Sequence, residues 1–298
     1  MSARPGFRRD VTVDEIDTFW TDGVVCLRGI LDSDLVMAMA GPVDAILDAP
    51  EMADLSAMGD GLAAGGETVL TTTIDGSGGA PARGRFVSGV DHWLLHEPFR
   101  AFACDSALAE AVGALLRTTE VHLWEDSVLV KEPGAREHTA WHQDLSYFPL
   151  TGDQLATTWA PLDTVSAATG AMRFVQGSHR RSELYKPNLF VSTMTIPGTT
   201  GDEMPDVDAL AATGEIDLIS FDTEPGDCTV HHARTLHAAG ANTSATTRRR
   251  AISVRYLGDD VRFAERAGVV RKPHHPRRHD GDRLGPPECP LVWTSQPA

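Results

Sequence analysis

Residues 141–149, WHQDLSYFP, place a histidine and an aspartate two positions apart. In a β-strand, side chains two residues apart point to the same side, so His142 and Asp144 can reach one ion. An imidazole and a carboxylate together suit Fe(II), and a distant second histidine would complete a ligand face of two histidines and one carboxylate. Such a face leaves three coordination positions free for a bidentate co-substrate and O2.

Candidates for the second histidine follow a later turn. A glycine–aspartate pair at 226–227 precedes a predicted strand, and His231, His232 and His237 lie along this strand or just beyond it. A run of three arginines, residues 248–250, starts the next predicted strand. From the residues alone, any of the three histidines could complete the ligand face.

These segments also resemble a known family. The run HQDLSYFPL (142–150) is similar to a segment of the phytanoyl-CoA dioxygenase family, and further matches are GSHRR (177–181), GDCTVHHARTLHAAGANTS (226–244) and RRAISVRY (249–256). The resemblance covers roughly residues 120–257 in order. It implies a double-stranded β-helix that uses Fe(II), 2-oxoglutarate and O2.

The resemblance ranks the histidines. In the family the distal ligand precedes a small-residue turn that ends in asparagine, as His237 precedes the turn that ends in Asn242. His237 is therefore the predicted third ligand. His232 corresponds to a family position that is not a ligand, and it stays the alternative. The other histidines, His231, His138 and His122, are expected to be hydrogen-bonded or solvent-exposed imidazoles outside the ligand set, with a position beside the ligands as the alternative.

An arginine is expected to bind the far end of 2-oxoglutarate, because a guanidinium offers a planar two-point fork to a carboxylate. Family spacing from His237 points to Arg248, whereas the following Ala-Ile-Ser run points to Arg249. We favour Arg249. Strand parity puts Arg249, Ser253 and Arg255 on one face, which makes Ser253 a candidate second donor to the carboxylate.

Six more residues are weaker candidates. For the co-substrate site, Trp159 corresponds to a family tryptophan, although it could equally be an ordinary core aromatic, and Lys131 lies on the strand that enters the site. For the substrate pocket, the candidates are Gln143, Tyr147, Phe148 and Arg234.

Asp144 also bears on the reaction. Related halogenases carry a small residue there, which leaves room for a halide, so a carboxylate argues against halogenation. The resemblance implies hydroxylation of an unactivated C–H bond. The net charge of −16, with no evident basic cluster near the site beyond Lys131 and Arg234, favours a small-molecule metabolite or natural-product intermediate over a CoA thioester. The alternatives are desaturation, epimerisation, cyclisation or hydroxylation of a fatty acyl-CoA. A cupin-type enzyme without 2-oxoglutarate is disfavoured, because cupins usually carry a His-x-His pair with a later carboxylate.

The elements that must position these residues follow from hydrophobic periodicity and turn residues. The first third of the chain predicts helices over residues 13–21, 32–47 and 98–116, with Asp32 as the N-cap of the second. Short strands separated by turns are then predicted at 121–132, 156–163, 171–177, 215–221, 227–233 and 249–257.

We therefore predict a mainly β fold, a cupin-like jelly roll with flanking N-terminal α-helices. One oxygenase domain would span residues 1–298. It would comprise a helical flank to about residue 118, a core over about 119–258 with a lid insertion at 186–214, and a tail over 259–298 that wraps the surface.

Composition narrows the partners. The chain of 298 residues has 26 Lys plus Arg and 42 Asp plus Glu, a formal net charge of −16, which disfavours nucleic acid. The four cysteines form no Cys-x-x-Cys pair, so a reducing compartment is expected. The sequence predicts no signal peptide and no membrane span, and hence a cytoplasmic protein. It indicates no oligomeric state.

Overall fold

The protein is represented by a computed structural model, in which residues 8–56 and 84–295 are described. The strands of these residues are β1 Val24–Leu27, β2 Met52–Asp54, β3 Phe86–Val90, β4 Glu120–Lys131, β5 Thr139–His142, β6 Leu150–Thr151, β7 Leu155–Pro161, β8 Met172–Val175, β9 Leu218–Ser220, β10 Cys228–His232, β11 His237–Ala239, β12 Arg249–Leu257, β13 Arg262–Phe263 and β14 Leu291–Thr294.

The strands form two main antiparallel sheets. The larger has the order β1-β10-β7-β12-β4-β3-β2, with β14 paired to β4, and the smaller has the order β5-β11-β8-β9. A separate pair joins β6 to β13. The predicted mainly β jelly-roll class is thereby confirmed.

The helices of the described residues are α1 Val13–Asp22, α2 Ser33–Ala38, α3 Ala40–Ile46, α4 His92–Leu95, α5 Glu97–Asp105, α6 Leu108–Leu116 and α7 Val207–Thr213. Short 3-10 turns occupy Asp144–Tyr147, Ala167–Thr169 and Ser178–Arg180. No helix of the described ranges is long and apolar enough to cross a membrane.

Two predicted helices are interrupted. The prediction of one helix over 32–47 is wrong, because Pro42 lacks the N–H that would bond to the Ala38 carbonyl, and the helix is broken at Met39. Asp32 does cap its start by accepting a hydrogen bond from the Asp34 amide. The helix predicted over 98–116 is likewise split, at Ser106, whose backbone is extended.

The two faces of strand β12 contribute to different regions, one to the apolar core and the other to the candidate site. Ile252, Val254 and Tyr256 are buried in the large apolar cluster that the helices share with one face of the sheet. The alternate residues Arg249 and Ser253 line a cavity on the other face. The two-residue period predicted from the sequence therefore separates packing residues from candidate site residues.

The segments predicted as a lid and as a surface tail differ in how closely the structure follows the prediction. Residues 186–214 are mostly irregular with one short helix, α7. The tail over 259–298 is not confined to the surface, because β14 extends the larger sheet and Lys272 is largely buried. Residues 57–83 lie outside the described residues.

Candidate active site

His142, Asp144 and His237 converge in the interior. His142 ends β5 and is the register partner of His237 on β11. The Nε2 atoms of His142 and His237 lie 3.7 and 3.8 Å from Oδ1 of Asp144. The sequence predicted that Asp144 shares a strand with His142, but Asp144 instead starts a 3-10 turn. Because Gln143 between them has an extended backbone, both side chains still reach the same point.

Backbone carbonyls fix how the two imidazoles are presented. His142 Nδ1 lies 2.8 Å from the Ala140 carbonyl oxygen, and His237 Nδ1 lies 3.0 Å from that of Thr235. Each Nδ1–H therefore donates to the backbone and leaves the Nε2 lone pair facing Asp144. Burial lowers the pKa of His142 to about 3 and that of His237 to about 4, so both rings are neutral near pH 7.

The carboxylate of Asp144 is held through its other oxygen. Thr157 Oγ1 donates a 2.5 Å hydrogen bond to Oδ2, and His231 Nε2 and Arg255 Nε lie 3.3 and 3.7 Å from it. Burial alone would raise the pKa of Asp144, but Arg255, His231 and His237 lower it well below its usual value. Two neutral imidazole nitrogens and one carboxylate oxygen are a donor set that fits a divalent iron ion.

His231, for which the sequence left open a position beside the ligands, contacts Asp144. It is the register partner of Thr157 across β10 and β7, which brings both residues to Asp144. The adjacent His232 points elsewhere: its Nε2 donates to the Asp153 carbonyl oxygen at 2.7 Å, and its Nδ1 accepts from the Arg234 amide. Of the two distal candidates, only His237 faces Asp144.

A narrow cavity runs from these residues to Arg249. Arg249 is 2% exposed, and its guanidinium lies 5.6 Å from the centre of the Trp159 ring. Burial lowers the pKa of Arg249 to about 10, so the group stays charged. Its Nε has no hydrogen-bond partner, and no carboxylate of the described residues lies within ion-pair distance. A buried cation without a counter-charge is costly, so this end of the cavity suits an anionic group.

The other candidates near this cavity take different positions. Ser253 lines it, but its hydroxyl donates to the Thr158 carbonyl oxygen at 2.9 Å. Lys131 is buried but does not line this cavity, and its Nζ donates to the Gly240 carbonyl oxygen at 2.5 Å. Arg248 lies outside and pairs with Asp44 at 3.1 Å. The structure therefore brings Arg249, and not Arg248, to the cavity.

A larger cavity of about 570 Å³ opens on the same His142 and Asp144. Tyr147 and Phe148, two of the residues predicted for the substrate pocket, line this cavity, and Phe190 of the predicted lid packs 5.3 Å from the His142 ring. Further apolar lining comes from Leu55, Trp124, Leu129, Pro149 and Val270.

Two residues predicted for the substrate pocket lie elsewhere. Gln143 donates to the Arg234 carbonyl oxygen at 2.8 Å and accepts from the Tyr185 amide at 3.1 Å. Arg234 donates to the Arg181 carbonyl oxygen at 2.7 Å. Because both side chains are bonded to loop backbone, neither lines a described cavity.

Charged residues connect the wall of the larger cavity to Asp144. Arg255 lies 3.7 Å from Asp144 and 3.5 Å from Glu125. Lys272 of the tail lies 2.7 Å from Glu125 and 2.6 Å from Asp91. Strand parity already places Arg255 on the face of Arg249 and Ser253, although no role was assigned to it, whereas nothing in the sequence relates Lys272 to the site.

Comparison with known proteins agrees with this architecture. The phytanoyl-CoA dioxygenase (PhyH) family matches residues 19–251. A probable alpha-ketoglutarate-dependent hypophosphite dioxygenase of Stutzerimonas stutzeri is 32% identical over 166 residues, 53% of this chain and 54% of that protein. The chain thus spans about half the length of this curated relative.

Solved structures show the same fold. The alpha-ketoglutarate-dependent epimerase SnoN from nogalamycin biosynthesis is 23% identical with a TM-score of 0.67, over 94% of this chain and 98% of its own. The carbocyclase SnoK from the same biosynthesis is 22% identical with a TM-score of 0.68, over 98% and 100%. EctD from S. alaskensis, solved with 2-oxoglutarate and 5-hydroxyectoine, is 16% identical with a TM-score of 0.62, over 95% and 92%.

Proposed function

The chain belongs to the phytanoyl-CoA dioxygenase family, and from this premise we propose that it is an Fe(II)- and 2-oxoglutarate-dependent oxygenase of a small-molecule substrate. One observation carries the proposal. Two neutral imidazole nitrogens and a carboxylate oxygen meet in a cavity that also holds the guanidinium of Arg249, which has no ion-pair partner among the described residues.

His142, Asp144 and His237 would hold the iron. When bound, the iron supplies the redox chemistry that couples oxidative decarboxylation of 2-oxoglutarate with O2 to oxidation of the substrate. Arg249 would bind the distal carboxylate of 2-oxoglutarate through its two-point fork, with Trp159 packed beside the guanidinium.

The surrounding residues orient these groups and keep the cavity dry. Thr157 and His231 hold one oxygen of Asp144, which directs the other oxygen towards the histidines. Phe190 covers one side of His142, and Leu129 lines both cavities. An apolar wall beside the reacting groups limits the access of water, which would otherwise compete with the substrate.

The larger cavity bears on the substrate. A volume of about 570 Å³ lies within the range of roughly 300–1,000 Å³ found for pockets that bind drug-sized molecules. Its walls are mainly apolar and aromatic. We therefore propose a natural-product or metabolite scaffold much larger than the hypophosphite named for the curated relative. The proposed reaction is hydroxylation of a C–H bond. Halogenation is disfavoured because Asp144 supplies a carboxylate where related halogenases have a small residue.

The location proposed for the protein is the cytoplasm. The four cysteines are unpaired, and two of them, Cys228 and Cys289, are buried. Unpaired thiols persist in a reducing compartment, which supports this location.

The test is turnover of 2-oxoglutarate by the purified chain. After removal of metal with a chelator, added Fe(II) should restore succinate formation in the presence of O2. In a separate anaerobic sample, it should restore the charge-transfer absorption of iron-bound 2-oxoglutarate. The His142→Ala/Asp144→Ala chain should show neither. Failure of wild-type protein to bind 2-oxoglutarate with Fe(II) present would overturn the proposal.

Product mass then identifies the reaction. With a substrate found by screening natural-product scaffolds for stimulated succinate formation, hydroxylation adds one oxygen. Epimerisation leaves the mass unchanged, and desaturation or cyclisation removes two hydrogens. Either of the latter results would replace hydroxylation without affecting the proposed cofactors.

A further inference from the structure

A second group of potential metal ligands lies outside the candidate active site. Glu51 immediately precedes β2, and His92 and His96 stand four residues apart at α4. One ligand atom from each lies within 4.8 Å of those of the other two. His96 Nε2 is already 2.7 Å from Glu51 Oε1, so one pair of ligands is in contact.

His92 is the unusual member of this group. It is 0% exposed, and neither ring nitrogen has a hydrogen-bond partner in the described part of the chain. The Gly89 backbone lies beside the ring without meeting hydrogen-bond geometry, and Phe99 packs 5.3 Å from it. A buried polar group without a partner is costly, and a bound ligand would remove that cost.

The arrangement of the two rings is close to what one ion requires. Residues four apart on a helical turn share a face, and the backbone amide of His96 does bond to the His92 carbonyl oxygen at 2.9 Å. The ring centres are 6.2 Å apart. Two imidazoles on one tetrahedral zinc, with Zn–N bonds of about 2.0–2.1 Å, have ring centres about 5 Å apart. A side-chain adjustment of about an ångström would therefore bring the nitrogens onto a single ion.

The ligand types indicate the class of metal. Two imidazoles disfavour Mg²⁺ and Ca²⁺, which prefer oxygen ligands, and favour a borderline ion such as Zn²⁺. Burial lowers the pKa of His92, so the ring is neutral near pH 7 and keeps a nitrogen lone pair. Three protein ligands leave the fourth tetrahedral position to a water molecule.

We propose that Glu51, His92 and His96 form a second divalent-cation site, with Zn²⁺ as the preferred ion. The site ties β2, which pairs only with β3 in the described sheet, to the turn at α4. Glu51 also lines the larger cavity. Metal binding there stabilises the wall of the substrate cavity at a distance from the iron ligands.

Metal content of the 298-residue chain tests the proposal. After chelation, excess Zn²⁺ and desalting, the wild-type chain should retain two zinc ions, one of them in the iron site. The His142→Ala/Asp144→Ala chain should retain one. When Glu51→Gln or His96→Gln is added to this double variant, the Kd for zinc should rise at least tenfold, so that no zinc remains after desalting. Both side chains are partly exposed, so these variants should fold.

Glu97→Gln is the matched control, because Glu97 is an exposed carboxylate next to His96 and should leave the zinc in place. Should the double variant fail to fold, the count of two zinc ions in wild type against one in Glu51→Gln decides the question. A single zinc in wild type, or equal zinc in wild type, Glu51→Gln and His96→Gln, would overturn the proposal. Neither result depends on oxygenase activity.

Discussion

Asp144 accepts a 2.5 Å hydrogen bond from Thr157 through Oδ2, the oxygen other than the one nearest His142 and His237. The two carboxylate oxygens thus have separate roles, one bonded to the protein and one directed at the candidate metal position. Partners that orient a ligand in this way are typically worth 10–100-fold, roughly, in metal affinity.

Thr157→Val should therefore raise the Kd for Mn(II), used as a probe of the iron site, by about tenfold, because it removes the hydroxyl and keeps the shape. Titration followed by electron paramagnetic resonance measures this change. Thr158→Val is the control, since the neighbouring hydroxyl is equally buried but bonds to the Val254 carbonyl oxygen. Equal affinities in the two variants would show that Thr157 does not position Asp144.

Arg249→Lys should weaken 2-oxoglutarate binding selectively. The charge remains, but the two-point fork is lost, and a charge-assisted hydrogen bond of about 1.5–3 kcal/mol corresponds to roughly 10–100-fold in KM for 2-oxoglutarate. Mn(II) affinity should not change. Arg248→Lys, outside the cavity, should behave as wild type. The opposite pattern would assign the co-substrate to Arg248.

His237→Gln should abolish tight Mn(II) binding, whereas His232→Gln should retain it. Both ring nitrogens of His232 are engaged by backbone groups, and Nε2 of His237 faces Asp144. The His232 variant should lose stability instead, which thermal unfolding would record. If His232→Gln also lost the metal while still folded, the choice of His237 would be wrong.

The sequence predicts most of what depends on local periodicity. The mainly β class follows from short strands and turns, and the two-residue period on β12 correctly places Arg249 and Ser253 on one face. The same period separates His231 from His232, but it does not say which of the two faces the interior. That choice is made by the pairing of β10 with β7, which is a long-range contact.

Long-range register and tail packing explain the other omissions. Thr157 contacts Asp144 because of where β7 lies in the sheet, not because of any spacing in the sequence. Lys272 reaches Glu125 from a tail segment rich in proline and charge, a composition typical of exposed chain. Breaks within helices were also missed, since the apolar spacing continues across Met39 and Ser106.

Lys272→Met should destabilise the fold and loosen the tail. Burial alone would lower the pKa of Lys272, but Glu125 and Asp91 raise it above its usual value, so the amine is charged. Removing it leaves Asp91 without its cation and Glu125 with Arg255 alone. Loss of one partner of a buried ion pair typically costs about 3–5 kcal/mol. Urea unfolding measures the loss, and limited proteolysis should cut the tail sooner.

The control for this prediction is Lys186→Met. Its partner Glu203 is 76% exposed, so that ion pair should contribute less than about 1 kcal/mol. Similar losses for the two lysines would argue against a buried role for the tail.

Asp126→Asn should increase stability at higher pH. Asp126 is 0% exposed; its Oδ1 accepts from the Trp93 amide, and its Oδ2 has no partner in the described part of the chain. Burial raises the pKa of Asp126 from 3.8 to about 7, and the nearby Asp91 and Glu125 add to this effect, whereas the Trp93 amide and Lys272 oppose it.

The direction of the pH effect follows from proton binding. Between the unfolded pKa of 3.8 and the folded pKa of about 7, the unfolded chain has released the Asp126 proton and the folded chain keeps it. The stability contributed by this group is therefore present below the unfolded pKa and is lost as pH rises through that window. Asparagine does not titrate, so the free energy of unfolding of Asp126→Asn relative to wild type should rise by roughly 1–4 kcal/mol between about pH 4 and pH 8. Urea unfolding of both chains across this range checks the prediction. Because all other groups titrate alike in the two chains, parallel curves would mean that folding does not raise the pKa of Asp126.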